Sequence, residues 1–241
     1  MPHVLHLVTW LNPGGLEYWL SGFIEATRDT SYRMSVVCKA STKGTLSASL
    51  IRNGTSVECC EMFPRLLSYP NRLATLMREW NIDLIHNHMG AMSFPAIRAA
   101  RRAGVPVITT FHSPQFSPQS AAAKAPVVRS LRGIFARFSV DYAMRHSQVI
   151  TGVSQGVLDS LYPQYQSDPR FRVTYLGIPK REAKQHETYV IRNAHNWAPT
   201  DPLVLTLGRL SDEKNPLAAL DVFRLLKAKV LNARLAFIGQ G

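Results

Sequence analysis

Residues 83–112 read DLIHNHMGAMSFPAIRAARRAGVPVITTFH, with two apolar runs on either side of a helical pattern. The runs at 84–88 and 105–111 predict strands, and residues 95–103 predict a helix that stops at Gly104. The second run carries β-branched side chains on both of its faces, which is typical of a parallel strand buried on both sides. The segment therefore predicts a strand–helix–strand unit within a parallel sheet.

The same alternation extends from this unit toward both ends of the chain. Further strands are predicted at 4–8, 34–38, 57–62, 149–153 and 172–176. Further helices are predicted at 16–26, 46–53, 72–80, 127–142 and 155–161, with Gly54 as the left-handed residue after the second of these. Alternation at this spacing predicts an α/β fold whose parallel sheet is covered on both faces and binds ligands at the carboxyl ends of its strands.

A second unit is predicted late in the chain. Residues 180–202 are mostly polar and read as a linker with a helical crossing. They are followed by a strand at 203–207, a helix at 215–230 and a strand at 233–238. We expect a first domain over 1–179 and an incomplete second domain over 203–241, because one strand–helix–strand unit cannot bury both faces of a sheet.

The composition is that of a globular chain of 241 residues, 46% hydrophobic and 18% charged, with a net charge of +12. Cys38, Cys59 and Cys60 do not have the number or spacing of a disulfide framework or a zinc motif, so we expect buried, reduced thiols. The N-terminus lacks the basic and apolar regions of a signal peptide, and no apolar run approaches the roughly 18–20 residues that span a bilayer. We expect a cytoplasmic protein, or one bound to the inner face of the cytoplasmic membrane.

Small and imidazole side chains recur where the predicted strands end. Gly14 and Gly15 separate the first strand from the first helix, where backbone amides favour an anion such as phosphate, although such a pair is also a common structural turn. His112 follows the strand at 105–111 and is suited to hydrogen-bond a hydroxyl group or a developing charge; a bond to a neighbouring loop is the alternative. Ser154 follows the strand at 149–153 and is expected to line the same cleft.

His86 and His88 lie two residues apart, so both are expected on one side of an extended segment. A metal site would need a further ligand, and no nearby group of Cys, Asp or Glu completes one. We therefore expect both rings to line the cleft or to serve the structure, with no metal bound.

Arg209 and Lys214 stand five residues apart in the loop that leads into the helix at 215–230. Two cations so placed are suited to clamp a diphosphate. The residues alone also fit an ordinary solvated loop.

Together these pieces resemble the retaining family-4 glycosyltransferases of GT-B fold, and they match in order over nearly the whole chain. The most specific piece is Leu207-Gly208-Arg209-Leu210 with Glu213-Lys214-Asn215. The other matching pieces are Gly14-Gly15-Leu16-Glu17, residues 83–88, residues 106–112, Val153-Ser154, Leu176-Gly177-Ile178 and residues 237–241.

The resemblance implies transfer of a hexosyl group from a nucleotide diphosphate sugar to a polysaccharide or lipid-linked glycan, with retention at the anomeric carbon. It implies two Rossmann-like domains, the first on the acceptor side and the second binding the donor. Arg209 and Lys214 would neutralise the leaving diphosphate without a metal, Gly14 and Gly15 would approach that phosphate, and His112 would contact the transferred sugar. The setting implied is assembly of a bacterial capsule, lipopolysaccharide or related surface glycan.

The family also carries two glutamates, separated by seven residues, in a later part of the donor domain. The sequence ends before that region, so we expect the 241-residue chain to bind the donor poorly and to be nearly inactive alone. The alternative is a non-catalytic fragment that binds a glycan or a membrane. A dehydrogenase is disfavoured, because no Gly-x-Gly-x-x-Gly follows the first strand.

Residues 84–140 contain no acidic side chain, which suggests an anionic partner. The basic residues of this stretch are Arg98, Arg101, Arg102, Lys124, Arg129, Arg132 and Arg137. The helix at 127–142 has an apolar stripe, and its three arginines fall outside it, as in helices that lie on an anionic membrane surface. The stripe consists of Val127, Leu131, Ile134, Phe135 and Phe138. An ordinary helix with a solvated basic face is the alternative; nucleic acid is disfavoured, because no nucleic-acid-binding motif is present.

Overall fold

The fold comes from a computed structural model, which describes residues 1–114, 126–178 and 190–239. The chain divides into two compact units, Met1–Pro179 and Lys180–Gly241. Because the two are separate units, each is described by itself.

The first unit is built on a seven-stranded sheet in the order β3-β2-β1-β4-β5-β6-β7, with every neighbouring pair parallel. The strands are β1 (His3–Val8), β2 (Arg33–Cys38), β3 (Ser56–Cys59), β4 (Leu84–Asn87), β5 (Val107–Phe111), β6 (Val149–Gly152) and β7 (Phe171–Val173). The strand order reverses between β1 and β4. In open α/β sheets, the crevice beyond the carboxyl ends of two such strands is the usual ligand site.

Helices connect these strands as the alternation predicted. They are α1 (Gly15–Ala26), α2 (Ser47–Arg52), α3 (Tyr69–Glu79), α4 (Ser93–Ala103), α5 (Pro126–His146) and α6 (Gln155–Leu161). Apolar side chains of β1 enter two clusters: Leu5 and Leu7 join the larger one with α3 and α4, whereas Val8 joins the smaller one with α1 and β2. His6 alternates with Leu5 and Leu7 along β1, so it lies on the α1 side of the sheet.

The second unit contains α7 (Val190–Ala194), β8 (Leu203–Leu207), α8 (Pro216–Lys229) and β9 (Arg234–Ile238). β8 and β9 pair in parallel. The predicted strand–helix–strand unit is therefore present, and Pro216 occupies the first turn of α8. Residues 180–189 of the predicted linker lie outside the described residues.

Several predicted boundaries were wrong, and hydrogen-bond geometry explains the differences. β3 ends at Cys59 and not at residue 62, because its neighbour β2 ends at Cys38. β7 spans Phe171–Val173 and not 172–176, because its partner β6 ends at Gly152. α3 begins before residue 72, with a proline in its first turn, where a missing N–H costs nothing.

Other local predictions were confirmed, one of them in part. Gly54 has φ +86° directly after α2. All three cysteines are free thiols; Cys38 and Cys60 are buried, whereas Cys59 is only partly so. No helix among the described residues is long and apolar enough to cross a bilayer.

Candidate functional site

The loop after β1 ends at Gly14, which caps α1 with an extended backbone and without a side-chain hydrogen bond. The amides of the first helical turn therefore face the carboxyl end of the sheet, where an anion is favoured. The carboxylate of Glu17 lies over Gly14, and a methyl group added at Gly14 would collide with it. Glycine at position 14 thus leaves room for an acidic side chain at the start of α1. No such contact surrounds Gly15, where an added methyl group would enter open space.

Four imidazoles meet beside α1, toward the carboxyl ends of β1, β4 and β5, where Phe23 contacts His6 and Trp19 contacts His88. His6 of β1 stands opposite His86 of β4, and the rings of His86 and His88 lie 4.0 Å apart, on one side as predicted. His6 Nδ1 lies 3.2 Å from His88 Nε2, and His88 Nδ1 lies 2.9 Å from His112 Nε2. His86 Nε2 is 2.7 Å from Oγ1 of Thr110 on β5.

Burial keeps these four rings uncharged at neutral pH. It lowers the pKa of His86 to about 4, with a smaller contribution from His112, and lowers the pKa of His112 itself to about 4. The pKa values of His6 and His88 fall well below 6.5, first through burial and then through repulsion from neighbouring imidazoles. Each ring therefore offers one N–H donor and one lone pair near pH 7.

His6 is the residue that the sequence analysis missed. Among the described residues, His6, His86 and His88 form the one group that could hold a metal, with a ligand nitrogen from each ring within 4.8 Å of the others. β1 therefore supplies a third possible ligand for the His86–His88 pair, a histidine, where only Cys, Asp and Glu had been considered. Position 6 alternates with the core leucines of β1, and the pairing of β1 with β4 brings it to the same side of the sheet as the two histidines. That no metal is bound stays a prediction.

Ser154 begins α6, two residues beyond β6. Its Oγ accepts a hydrogen bond from the backbone N–H of Val157 at 3.3 Å. The hydroxyl therefore caps the helix, a role that accounts for serine at this position. Its predicted place at the cleft stays a prediction.

α5 exposes much of its predicted apolar stripe. Leu131 is 63% exposed, Ile134 is 65% and Phe138 is 49%. Arg132 and Arg137 are exposed on the same helix. The buried side of α5 is instead formed further along by Ser139, Val140 and Ala143.

Other members of the predicted membrane surface are described less fully. Phe135 and Phe138 each pair with Phe94 in a T-shaped arrangement, with 6.5 and 4.9 Å between ring centroids. The side chains of Val127 and Arg129, and residue Lys124, lie outside the described part of the chain.

Arg209 and Lys214 lie in the loop that follows β8 in the second unit, and both are exposed. The loop is held to the β8–β9 pair by the N–H of Gly208, which donates to the carbonyl of Ile238 at 3.0 Å. Asn215 caps α8, with its Oδ1 accepting from the N–H of Ala218 at 3.2 Å. The two cations thus sit at the carboxyl end of a parallel strand, the position expected for a phosphate-binding loop.

Comparison with known proteins identifies relatives of this chain. Residues 13–182 match the model of the family described as Glycosyltransferase Family 4. No curated protein sequence matches the chain.

Solved structures are similar over essentially the whole chain. HepE from Anabaena in complex with UDP-glucose has a TM-score of 0.68 at 17% identity, covering 100% of this chain and 70% of its own. A glycosyltransferase from Rickettsia africae has 0.68 at 15%, covering 100% and 68%. The lipopolysaccharide outer core galactosyltransferase WaaB has 0.62 at 14%, covering 100% and 61%. At these identities the likeness concerns the fold, and it confirms the predicted GT-B-like α/β class.

Proposed function

Because the chain belongs to glycosyltransferase family 4, we propose that it transfers a hexosyl group from a nucleotide diphosphate sugar to a polysaccharide or lipid-linked glycan, with retention. The observation that carries the proposal is the family match over residues 13–182, which includes both the Gly14–Gly15 turn and His112. Uridine diphosphate is the nucleotide proposed first, because HepE, with the same fold, was solved with UDP-glucose.

In this proposal, charge neutralisation is the main contribution of the second unit. When the bond to the sugar breaks, negative charge builds up on the diphosphate, and Arg209 and Lys214 offset it. Arginine suits this role because its planar guanidinium forms two parallel hydrogen bonds to phosphate oxygens. In the first unit, we propose that the Gly14–Gly15 turn binds phosphate through backbone amides and that His112 contacts the sugar. No metal is required.

Binding of uridine diphosphate tests the donor site. We expect calorimetric titration to show binding that weakens about 10- to 100-fold in Arg209→Ala or Lys214→Ala, since hydrogen bonds to charged groups contribute about 1.5–3 kcal/mol. Arg224→Ala is the matched control, because Arg224 is an exposed arginine in the same unit that pairs with Asp221 on α8.

Three further measurements extend the test. EDTA should leave the affinity unchanged, and guanosine diphosphate should bind more weakly than uridine diphosphate. A folded chain that binds neither nucleotide contradicts the donor-site assignment. Sugar transfer from uridine diphosphate glucose by the purified chain would support the proposed activity.

We also propose that α5 docks on the inner face of the cytoplasmic membrane, where a lipid-linked acceptor would lie. The exposed Leu131, Ile134 and Phe138 would enter the interface, and the exposed Arg132 and Arg137 would meet anionic headgroups. The absence of acidic residues from 84–140 removes charge repulsion against such a surface. A non-catalytic membrane-binding role would use the same surface, and the nucleotide titration distinguishes the two.

Vesicle binding tests this surface. We expect the chain to co-sediment with vesicles containing phosphatidylglycerol at low salt, and to be released by high salt. Replacing both Leu131 and Ile134 with serine should weaken binding at least ~10-fold, because burying each side chain contributes roughly 1.5–3 kcal/mol. Leu67→Ser is the control, since Leu67 is 95% exposed outside α5. An equal loss in the control, or no binding at low salt, would refute the proposal.

A further inference from the structure

Three of the four clustered imidazoles form a continuous hydrogen-bonded chain. It runs from His6 on β1, through His88 just beyond β4, to His112 just beyond β5, with N···N distances of 3.2 and 2.9 Å. The His6 and His88 rings are nearly parallel, at 8°. We call this set the imidazole relay. His86 lies beside it but bonds to Thr110 instead.

The relay has a direction, because a neutral imidazole carries one proton on one nitrogen only. Either every ring carries its proton on Nδ1 and donates toward His112, or every ring carries it on Nε2 and donates toward His6. The two orders leave different groups at the inner end. In the first order, Nε2 of His6 keeps a lone pair that nothing uses. In the second order, the same nitrogen carries a proton that nothing accepts.

The surroundings of His6 distinguish the two orders. Its Nε2 is buried and has no hydrogen-bond partner among the described residues. Orphaned N–H donors are the rarest unsatisfied groups in protein interiors, and a buried acceptor is left unpaired somewhat more often. The order that leaves a lone pair on His6 Nε2 is therefore favoured.

We propose that the relay donates toward the edge of the sheet: His6 Nδ1–H to His88 Nε2, and His88 Nδ1–H to His112 Nε2. His112 is thereby held with its own proton on Nδ1. With Nε2 engaged by His88, Nδ1 is the ring nitrogen that remains for a ligand. His6 and His88 are positioning residues, which act through His112.

The chemical consequence rests on the proposed function. His112 presents a hydrogen-bond donor to its ligand, so it would bind an oxygen of the sugar or of the phosphate and would not accept a proton as a base. The lowered pKa of about 4 for His112 is consistent with this, since the ring is neutral at pH 7 and has only the one proton.

Nitrogen-15 NMR of the full chain tests the relay without requiring activity. Long-range ¹H–¹⁵N correlations distinguish the two ring nitrogens, and we expect His6, His88 and His112 all to carry their proton on Nδ1 at pH 7.5. Protons on Nε2 in these rings would overturn the proposal. So would ring-nitrogen shifts that revert on adding EDTA, which would mean that His6, His86 and His88 hold a metal ion.

Substitutions separate the relay from a merely structural role. His6→Leu removes the first donor of the relay. We then expect the His112 proton to be shared between Nδ1 and Nε2 and no longer held on Nδ1 alone. His6→Asn should restore that pattern, because the asparagine amide nitrogen occupies the place of Nδ1 and also donates. His86→Gln is the matched control, since His86 is equally part of the cluster but outside the relay. The same His112 pattern in all three variants would refute the relay, whatever the outcome of the nucleotide titration.

Discussion

Lowering the pH from 7 to 4.5 is expected to remove several kcal/mol of stability from the first unit, because its buried histidines resist protonation. In the unfolded chain these rings have a pKa near 6.5, whereas burial lowers the pKa of His86 and of His112 to about 4. Below pH 6.5 the unfolded state therefore binds more protons than the folded state. The stability is fully present above pH 6.5 and is lost as the pH falls toward 4.

The magnitude is large compared with the stability of a domain. A ring whose pKa falls from 6.5 to about 4 on folding lowers the free energy of unfolding by on the order of 3 kcal/mol once it is fully protonated. Typical domains have a total stability of about 5–15 kcal/mol. His6 and His88 act in the same direction.

Urea unfolding between pH 7.5 and 4.5 measures this effect. His86→Gln should reduce the dependence on pH, because glutamine keeps a hydrogen bond within reach of Thr110 but does not titrate. His146→Gln is the control: His146 is at the end of α5, where burial lowers the pKa of a partly exposed ring. If His86→Gln and wild type lose stability in parallel, the neutral cluster is not the cause.

Replacing Gly44 with alanine is expected to destabilise the first unit by about 3 kcal/mol or more. Gly44 has φ +90°, and an added Cβ would fall 2.7 Å from both the amide nitrogen of Asn12 and the carbonyl oxygen of Leu11. The clash is not easily relieved, because backbone atoms cannot move aside as a flexible side chain can. The positive φ adds strain of its own, since alanine rarely adopts this conformation. The loop after β1 would be displaced, and with it the start of α1.

Gly54→Ala is the matched control for this experiment. Gly54 has nearly the same conformation, with φ +86°, but an added Cβ would meet nothing within 4 Å. Only the left-handed conformation then costs stability, about 1–2 kcal/mol. Chemical denaturation of both variants gives the comparison, and equal losses would show that the contact with Leu11 and Asn12 is unimportant.

The α/β class followed from the alternation of short apolar runs with amphipathic stretches, because each element must bury an apolar face. Strand ends were less predictable, since they depend on the partner: β7 stops where β6 stops. The residue at which a strand ends depends on both strands of a pair, so it cannot be predicted from the sequence of one strand.

The candidate site was predictable at the strand ends but not within the sheet. His112 and the Gly14–Gly15 turn follow predicted strands, so their location at the carboxyl edge could be foreseen. The importance of His6 could not, because β1 and β4 are far apart in sequence and become neighbours only through the strand order. The contact of Gly44 with Leu11 is hidden for the same reason.

The imidazole relay also constrains how this protein can change during evolution. Removing one member leaves its neighbour with a buried polar atom and no partner, whereas replacing both with apolar groups of similar shape costs far less. Substitutions at His6 and His88 are therefore coupled and not additive. Once one of these histidines is replaced, the other no longer contributes to the relay. We therefore expect His6 and His88 to be conserved together or replaced together among relatives.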